Sequence, residues 1–387
     1  MAAGVETRHR KFMAGGQAPG RRQRGDFVGR INALHREQAI RQVPGIADEI
    51  GKTGKGARDG RIEHPLNGFG AGAVNAHVCQ AEFDLRLLLE GGWRVSGSDQ
   101  LLSPLAQALQ EAGARVILGH AAENVAGADL VIRSSAVGDD NPEVQAARAA
   151  GIPVLKRADF MGELMRDYNG IAIAGSHGKT TTTAMIAWML SALEQDPSFI
   201  IGGIAIDLGS NARLGHGAWF VIEADEYDRM FLGLAPKIAV VTNVEHDHPD
   251  CYPTAEDFYQ AFLAFTQSIQ PGGTLLVCAD DPGAARLAEE ATQDGLQVLR
   301  YGVEAADCNY WTQAMDARMA GFAFSVEFQD DHLTEVELQV PGLHNVQNAL
   351  AALAVAHQCG LDVQAAAQTL SQFHGAGRRF EVLGTAA

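Results

Sequence analysis

The chain has 387 residues, 47% of them hydrophobic and 20% charged, close to globular averages, which excludes wholesale disorder. Its 47 acidic and 30 basic residues give a formal net charge of −17, which excludes non-specific nucleic-acid binding, since that rests on basic contacts to phosphate. No apolar run reaches the ~18 residues that span a bilayer, so no membrane insertion is expected. The start lacks the apolar core of a secretory signal, and five widely spaced cysteines without a C-x-x-C read as free thiols in a reducing cytoplasm. At roughly 100–200 residues per domain, two or three domains are expected.

Charge is unevenly spread. Residues 1–70 hold 13 Lys+Arg and 7 Asp+Glu, a net of +6, against −23 for the remainder. The stretches GGQAPGRRQRG and GKTGKGARDGR have too little apolar surface to offset the entropy of ordering them. Residues 1–84 are therefore left unassigned, as a basic segment that is disordered or read in a shifted frame. From Leu85 the texture changes. LRLLLEGG reads as the end of an amphipathic helix, WRVSGSD as a strand, PLAQALQEAGA as a helix, RVILGH and ADLVIRSSA as strands, NPEVQAARAAG as a helix and IPVLKR as a strand. Such alternation indicates βαβ units and a parallel sheet, with ligands beyond the carboxyl ends of the strands. Ser96, Ser98, Asp99, Ser134 and Ser135 fall there.

The most informative segment is IAIAGSHGKTTTTAMIAWMLSAL. An apolar strand over 171–174 runs into a tight loop from Gly175 to Gly178, and a helix follows with an apolar stripe at Met185, Ile186, Met189 and Leu190. Strand, Gly-rich loop, Lys-Thr and helix form a phosphate cradle whose backbone N–H groups face the anion. Lys179 would reach the outer phosphates and Thr180 would ligate Mg2+. The loop is the short G-x-x-G-K-T form, because position 173 is Ile173 rather than glycine. Four β-branched residues, Thr180 to Thr183, open the helix, at up to ~0.7 kcal/mol each relative to alanine.

Two further apolar runs end in acids and histidines: AWFVIEADEYD with Glu223, Asp225, Glu226 and Asp228, and KIAVVTNVEHDHPD with Asn243, Glu245, His246, Asp247 and His248. If both strands run parallel to 171–174, their polar ends meet the phosphate loop. Mg2+ takes oxygen ligands from carboxylates and phosphates. Glu223 is the first candidate ligand and His248 the second, while Asp225, Glu226 and Asp228 read as a solvated loop. GGTLLVCADDP and VLRYG read as strands, FAFSVEF and LTEVELQV as a hairpin, and PGLHNVQNALAALAVAHQCG as a long helix carrying His344, Asn345 and Asn348 on its first turn. Their amides suit a purine edge. Arg378 and Arg379 follow a Gly-Ala-Gly, and paired arginines stabilise charge on a transferred phosphoryl group.

Taken together, GSHGKTTTT, VIEADEYD, TNVEHDHPD, GLHNVQNALAA and GAGRRFE resemble the Mur ligases, ATP-dependent amide ligases of peptidoglycan precursor synthesis. The resemblance runs from about residue 85 to the end. It implies an α/β fold: an incomplete Rossmann-like domain over 85–166 that binds the UDP substrate, a P-loop ATPase domain over 167–378, and the start of a hinge at 379–387 to a C-terminal Rossmann-like domain that is missing. It implies ATP and Mg2+ as cofactors, and a cytoplasmic role in cell wall biogenesis. VSGSD, the SSA…NPE arrangement and GRRFE are most similar to members that join L-alanine to UDP-N-acetylmuramate. EADEYD is shared with members that attach recycled murein tripeptide, and a nucleotide-binding module without ligase chemistry is a further alternative.

Residue by residue, the resemblance implies that Gly175, Ser176, His177, Gly178, Lys179, Thr180 and Thr181 wrap the phosphates. Thr180, Glu223 and His248 would hold Mg2+. His344, Asn345 and Asn348 would meet the adenine, Arg378 and Arg379 the ATP phosphate, and Ser98, Asp99, Ser134 and Ser135 the UDP. Lys179, Glu223, His248 and Arg379 would carry the catalysis. The family's Gly-rich pyrophosphate turn is echoed only by GFGAG, and no apolar strand precedes it.

Overall fold

The structure, a computed structural model, describes residues 75–79 and 82–377. The GFGAG turn, Arg378 and Arg379 lie outside the described residues. The first unit is a five-stranded, wholly parallel sheet of β1 (Asn75–Cys79), β2 (Arg94–Asp99), β3 (Arg115–Leu118), β4 (Leu130–Arg133) and β5 (Val154–Lys156), in the order β3-β2-β1-β4-β5. Helices α1 (Glu82–Glu90), α2 (Pro104–Glu111), α3 (Pro142–Ala149) and α4 (Arg157–Met165) connect or follow the strands. Local chemistry sets their starts. Ser103 caps α2 through the Ala106 N–H and Asn141 caps α3 through Glu143 and Val144, each followed by a proline at the first helical position. Within the segment 1–84, which the sequence leaves unassigned as disordered or frame-shifted, Asn75–Cys79 instead forms the central strand. Its five residues include buried His77 beside Ala76 and Val78, a mixture without the continuous apolar run that marks a covered strand.

The second unit is built on β6 (Asn169–Ala174), β7 (Ser198–Ala205), β8 (Ser210–Arg213), β9 (Trp219–Glu223), β10 (Ile238–Val241), β11 (Thr274–Cys278), β12 (Gln297–Tyr301), β13 (Tyr310–Trp311), β14 (Met315–Ala317), β15 (Phe322–Phe328) and β16 (Asp331–Leu338). Their order is β14-β15-β13-β12-β11-β10-β6-β9-β7-β8, with β16 paired to β15. The segment from β7 to β13 is parallel, while β8, β14, β15 and β16 add antiparallel edges. The two apolar runs expected to flank 171–174 do so directly: Ile171 is in register with Val221 on one side and Ile238 on the other, both parallel. Their carboxyl ends therefore emerge at the same edge.

Helices cover both faces. On one lie α5 (Lys179–Ala192), α8 (Leu343–Gln358) and α9 (Val363–Leu370); on the other lie α6 (Ala255–Thr266) and α7 (Pro282–Gln293). The aromatic core of the second face contains Phe231 stacked on Phe265 at 4.9 Å and edge-on to Phe262 at 5.2 Å. The apolar stripe expected of α5 is too narrow a description. Thr182, Thr183, Ala184, Met185, Ile186, Ala187, Met189 and Leu190 are all fully buried. The helix is sandwiched between the sheet and α8 and α9, so it is covered nearly all round. The threonine run thus lies at an interior helix start, where the Thr183 hydroxyl finds the Lys179 carbonyl at 2.8 Å.

Near the C-terminal end of α8, the half-buried His357 has its pKa lowered by burial, and its Nδ1 meets the Tyr310 hydroxyl at 2.9 Å. The unfolded chain therefore protonates first, at about 6.5. Stability is full above that value and declines as pH falls toward the folded pKa. Thermal melts are expected to show a smaller acid-induced loss for His357→Gln than for the wild type.

Candidate functional site

The phosphate loop leaves β6 through Gly175, whose φ is +140°, and enters α5 through Gly178, whose φ is +81°. A Cβ at Gly175 would sit 2.0 Å from the Thr242 hydroxyl oxygen. The loop is moored to the end of β10. The Thr242 hydroxyl donates to the His177 carbonyl at 2.6 Å, and Asn243 Oδ1 accepts from the His177 N–H at 2.8 Å. The Ser176 hydroxyl donates to the Glu245 carbonyl and accepts from the Glu245 N–H, at 2.6 and 2.9 Å. A Cβ at Gly178 would lie 2.9 Å from Asn348 Oδ1, so the first turn of α8 adjoins the loop. Asn345 and Asn348 are buried and bonded to each other at 3.2 Å, and Asn345 Nδ2 holds the Pro341 carbonyl at 2.6 Å. The helix cap is Gly342, so Asn345 lies inside the first turn rather than at the cap. His344 is exposed, as is His177, and Thr181 is half-buried.

The acids and His248 gather at the same edge. The Thr180 hydroxyl donates to Glu223 Oε1 at 3.1 Å, while Glu223 Oε2 accepts the Gly202 N–H at 2.6 Å. Burial pushes the Glu223 carboxyl above its ordinary pKa, against the opposing pull of the Gly202 N–H, the Thr180 hydroxyl and the Lys179 charge. Lys179 Nζ reaches Glu226 Oε1 at 2.8 Å and the Gly175 carbonyl at 2.5 Å. His248 Nε2 lies 3.3 Å from the same Glu226 oxygen. Asp247 is held below its usual pKa first by the His248 backbone N–H, then by nearby positive charge.

Glu226 is the residue that sequence reading placed wrongly. It was grouped with Asp225 and Asp228 as a solvated acid, yet it is fully buried and joins Lys179 to His248. The chain turns inward here. Asp228 and Arg229 sit at φ of 50° and 56° and His248 at 54°, and the Tyr252 hydroxyl ties down the Glu226 carbonyl at 2.5 Å. Left-handed backbone at non-glycine residues is costly and collects at functional sites. The one available signal was the aromatic Tyr252, six residues after His246, which no periodicity marks as a partner of Glu226.

Two features suit a divalent cation held by oxygen and nitrogen. Glu226, Asp247 and His248 each present a ligand atom within 4.8 Å of the others. Glu226 Oε2 is buried and has no hydrogen-bond partner among the described residues. The glycine cradle and the Lys-Thr pair suit an anion beside it. Of the ligand candidates, Thr180 is thus brought to Glu223, and His248 to Glu226 and Asp247.

In the first sheet, Ser98, Asp99, Ser134 and Ser135 stand at strand ends as expected. Ser98, however, is buried with its hydroxyl engaged to Glu143 at 2.6 Å. Asp99 accepts the Leu101 N–H at 3.1 Å. Ser134 Oγ is buried and has no hydrogen-bond partner among the described residues, and Ser135 is exposed.

Comparison with known proteins agrees with this geometry. Residues 84–169 match the model of the Mur ligase family catalytic domain, and residues 173–356 that of the Mur ligase middle domain. Among curated proteins, the UDP-N-acetylmuramate–L-alanine ligase of Burkholderia ambifaria is 46% identical over 301 residues, 77% of this chain and 63% of that protein. That of Bordetella petrii is 45% identical over 303 residues, 77% of this chain and 64% of that protein. The chain thus spans under two thirds of the length of these relatives. Among solved structures, the UDP-N-acetylmuramate:L-alanyl-gamma-D-glutamyl-meso-diaminopimelate ligase from Neisseria meningitides is 26% identical with a TM-score of 0.70, covering 79% of this chain and 100% of that one. The UDP-N-acetylmuramate–alanine ligase from Thermotoga maritima is 28% identical with a TM-score of 0.69, covering 81% and 71%. With its phosphate loop, its buried acids and the asparagines of α8 all within the matched segments, this chain belongs to the Mur ligase family.

Proposed function

We propose that the protein is an ATP-dependent ligase that joins L-alanine to UDP-N-acetylmuramate through an acyl phosphate, in cytoplasmic peptidoglycan precursor synthesis. The observation that carries this reading is the convergence of Lys179, Thr180, Glu223, Glu226 and His248 at one sheet edge, taken with the names of the relatives at 45–46% identity. A carboxylate is a poor electrophile. Its oxygen attacks the γ-phosphorus of ATP, ADP leaves, the amine of L-alanine then attacks the acyl carbon, and phosphate departs. Such transfer needs positioning and charge neutralisation above all.

In this reading residues 85–166 receive the UDP moiety through Ser98, Asp99, Ser134 and Ser135. Residues 167–378 bind ATP, with Gly175 to Thr181 around the phosphates and Lys179 against the outer oxygens. His344, Asn345 and Asn348 meet the adenine, and Arg378 and Arg379 a phosphate. Thr180, Glu223 and His248 would hold Mg2+, and the unpaired Glu226 oxygen fits a place beside them. When bound, the ion supplies charge neutralisation at the β- and γ-phosphates. Lys179 draws its position from Glu226, which keeps the ammonium at the mouth of the loop.

The test is ADP release measured with ATP, Mg2+, UDP-N-acetylmuramate and L-alanine, with hydroxylamine added to trap the acyl phosphate. Release that requires the sugar nucleotide, with a hydroxamate formed, supports the reading. Release indifferent to it overturns the reading, and nucleotide binding without turnover favours a non-catalytic module. A second acceptor is worth the same assay: the likeness to the solved tripeptide ligase and the EADEYD segment favour a murein tripeptide. Faster turnover with that peptide than with L-alanine would reassign the amine substrate.

A further inference from the structure

The first sheet carries a buried polar constellation that the ATP chemistry does not use. The Glu143 side chain, at the start of α3, is wholly inaccessible to solvent, and its partners include a hydroxyl, two amide N–H groups and two imidazoles. Its Oε2 accepts the Ser98 hydroxyl at 2.6 Å and lies 3.0 Å from His120 Nδ1; its Oε1 accepts Asn124 Nδ2 at 2.6 Å and the Ala121 N–H at 3.4 Å. His77 Nε2, on the central strand, stands 3.5 Å away. Ser98 is the last residue but one of β2, His120 follows β3, and Glu143 follows β4, so one carboxylate ties together three connections at the carboxyl edge of the sheet. That edge, where the order reverses around β1, is where open α/β sheets receive ligands.

A buried carboxylate is costly unless its lone pairs are filled by donors. Here they are filled, and the consequence falls on His120. With the Ser98 proton given to Glu143, the Nδ1 of His120 must carry hydrogen to face that oxygen. In that Nδ1–H tautomer the ring offers Nε2 as an acceptor, with the carboxylate behind it. The His120 side chain is 11% exposed, and no hydrogen bond is formed by its Nε2 among the described residues. We infer that Glu143 is a positioning residue for the uridine end of the substrate: it fixes Ser98 and presents His120 Nε2 as an acceptor suited to an imide N–H such as that of uracil. The inference rests on the UDP-binding reading above.

The test titrates the full chain with UDP-N-acetylmuramate by calorimetry, and with adenylyl imidodiphosphate and Mg2+ as a control on the other sheet. Glu143→Gln keeps the shape but turns one acceptor into a donor. It is expected to weaken UDP-N-acetylmuramate about tenfold or more while leaving the nucleotide control within about twofold. Spectra of 15N-histidine are expected to show His120 as the Nδ1–H tautomer in the wild type and a mixture in the variant. His120→Ala, which leaves the carboxylate its other donors, is expected to weaken the same ligand alone, and covers the case in which Glu143→Gln fails to fold. Unchanged affinity in either variant, with wild-type binding intact, overturns this inference by itself. A wild type that binds the adenine nucleotide but not UDP-N-acetylmuramate overturns the UDP reading and this inference with it.

Discussion

Replacing Lys179 by methionine is expected to lower ADP formation on the order of 10^3-fold, the size of effect seen when one charge-stabilising donor is lost from an acyl- or phosphoryl-transfer site. The same change strips a buried partner from Glu226, whose side chain is 1% exposed against 13% for Lys179. Removing one member of such a pair costs about 3–5 kcal/mol, because the other charge is left behind. His248 remains 3.3 Å from the carboxylate. A fall in Tm of about 10 °C is therefore expected. The double substitution Lys179→Met with Glu226→Gln separates the two roles. It removes the stranded charge, so the melting temperature should return toward the wild type while turnover stays lost. Recovery of turnover in the double variant would mean that the ammonium serves the fold and not the phosphates.

Gly175→Ala is expected to cost about 2–4 kcal/mol, of which about 1–3 comes from a non-glycine residue held in that backbone region and about 1 from a displaced hydrogen bond. The φ of +140° and the 2.0 Å approach to Thr242 Oγ1 are separate penalties. Thr242 cannot swing aside freely, because its hydroxyl holds the Ala174 and His177 carbonyls at 3.3 and 2.6 Å. Nucleotide affinity should fall with stability, since the loop N–H groups are re-aimed. Adding Thr242→Ala relieves the clash and not the backbone strain, so chemical denaturation should show partial recovery only. Full recovery would place the whole cost in the side-chain contact.

Much of this architecture was legible because parallel strands buried on both faces are written as continuous apolar runs. Ile171 to Ala174, Phe220 to Ile222 and Ile238 to Val241 declared themselves, and the polar residues closing them had to share an edge. The threonine run announced an unusual helix start without revealing its depth, since cover from α8 and α9 depends on chain far downstream. Glu226 was illegible for a related reason. Its neighbours Asp225 and Asp228 are ordinary loop acids by composition, and only the left-handed turn at Asp228 and Arg229 separates an inward side chain from an outward one. The same holds for Glu143, which sequence marks as a helix-start acid and three-dimensional neighbours convert into a hub. The strand at Asn75–Cys79 was missed because its polar content is compensated by partners on other elements, among them the Ser96 hydroxyl, 2.8 Å from His77 Nδ1.

One backbone stitch bears on how the chain acquires its shape. Ala205, at the end of β7, bridges to Ala376, and the Gly377 N–H donates to the Ile204 carbonyl at 2.7 Å, while the Ile206 N–H donates to the Gly375 carbonyl at 3.1 Å. Every strand from β8 to β16 lies between these partners in sequence. A ribosome must therefore deliver the hairpin, the long helix and residues 375–377 before this seam can close. Contacts so remote in sequence form late and slowly, so maturation of the nucleotide site is expected to wait on the synthesis of residues 375–377.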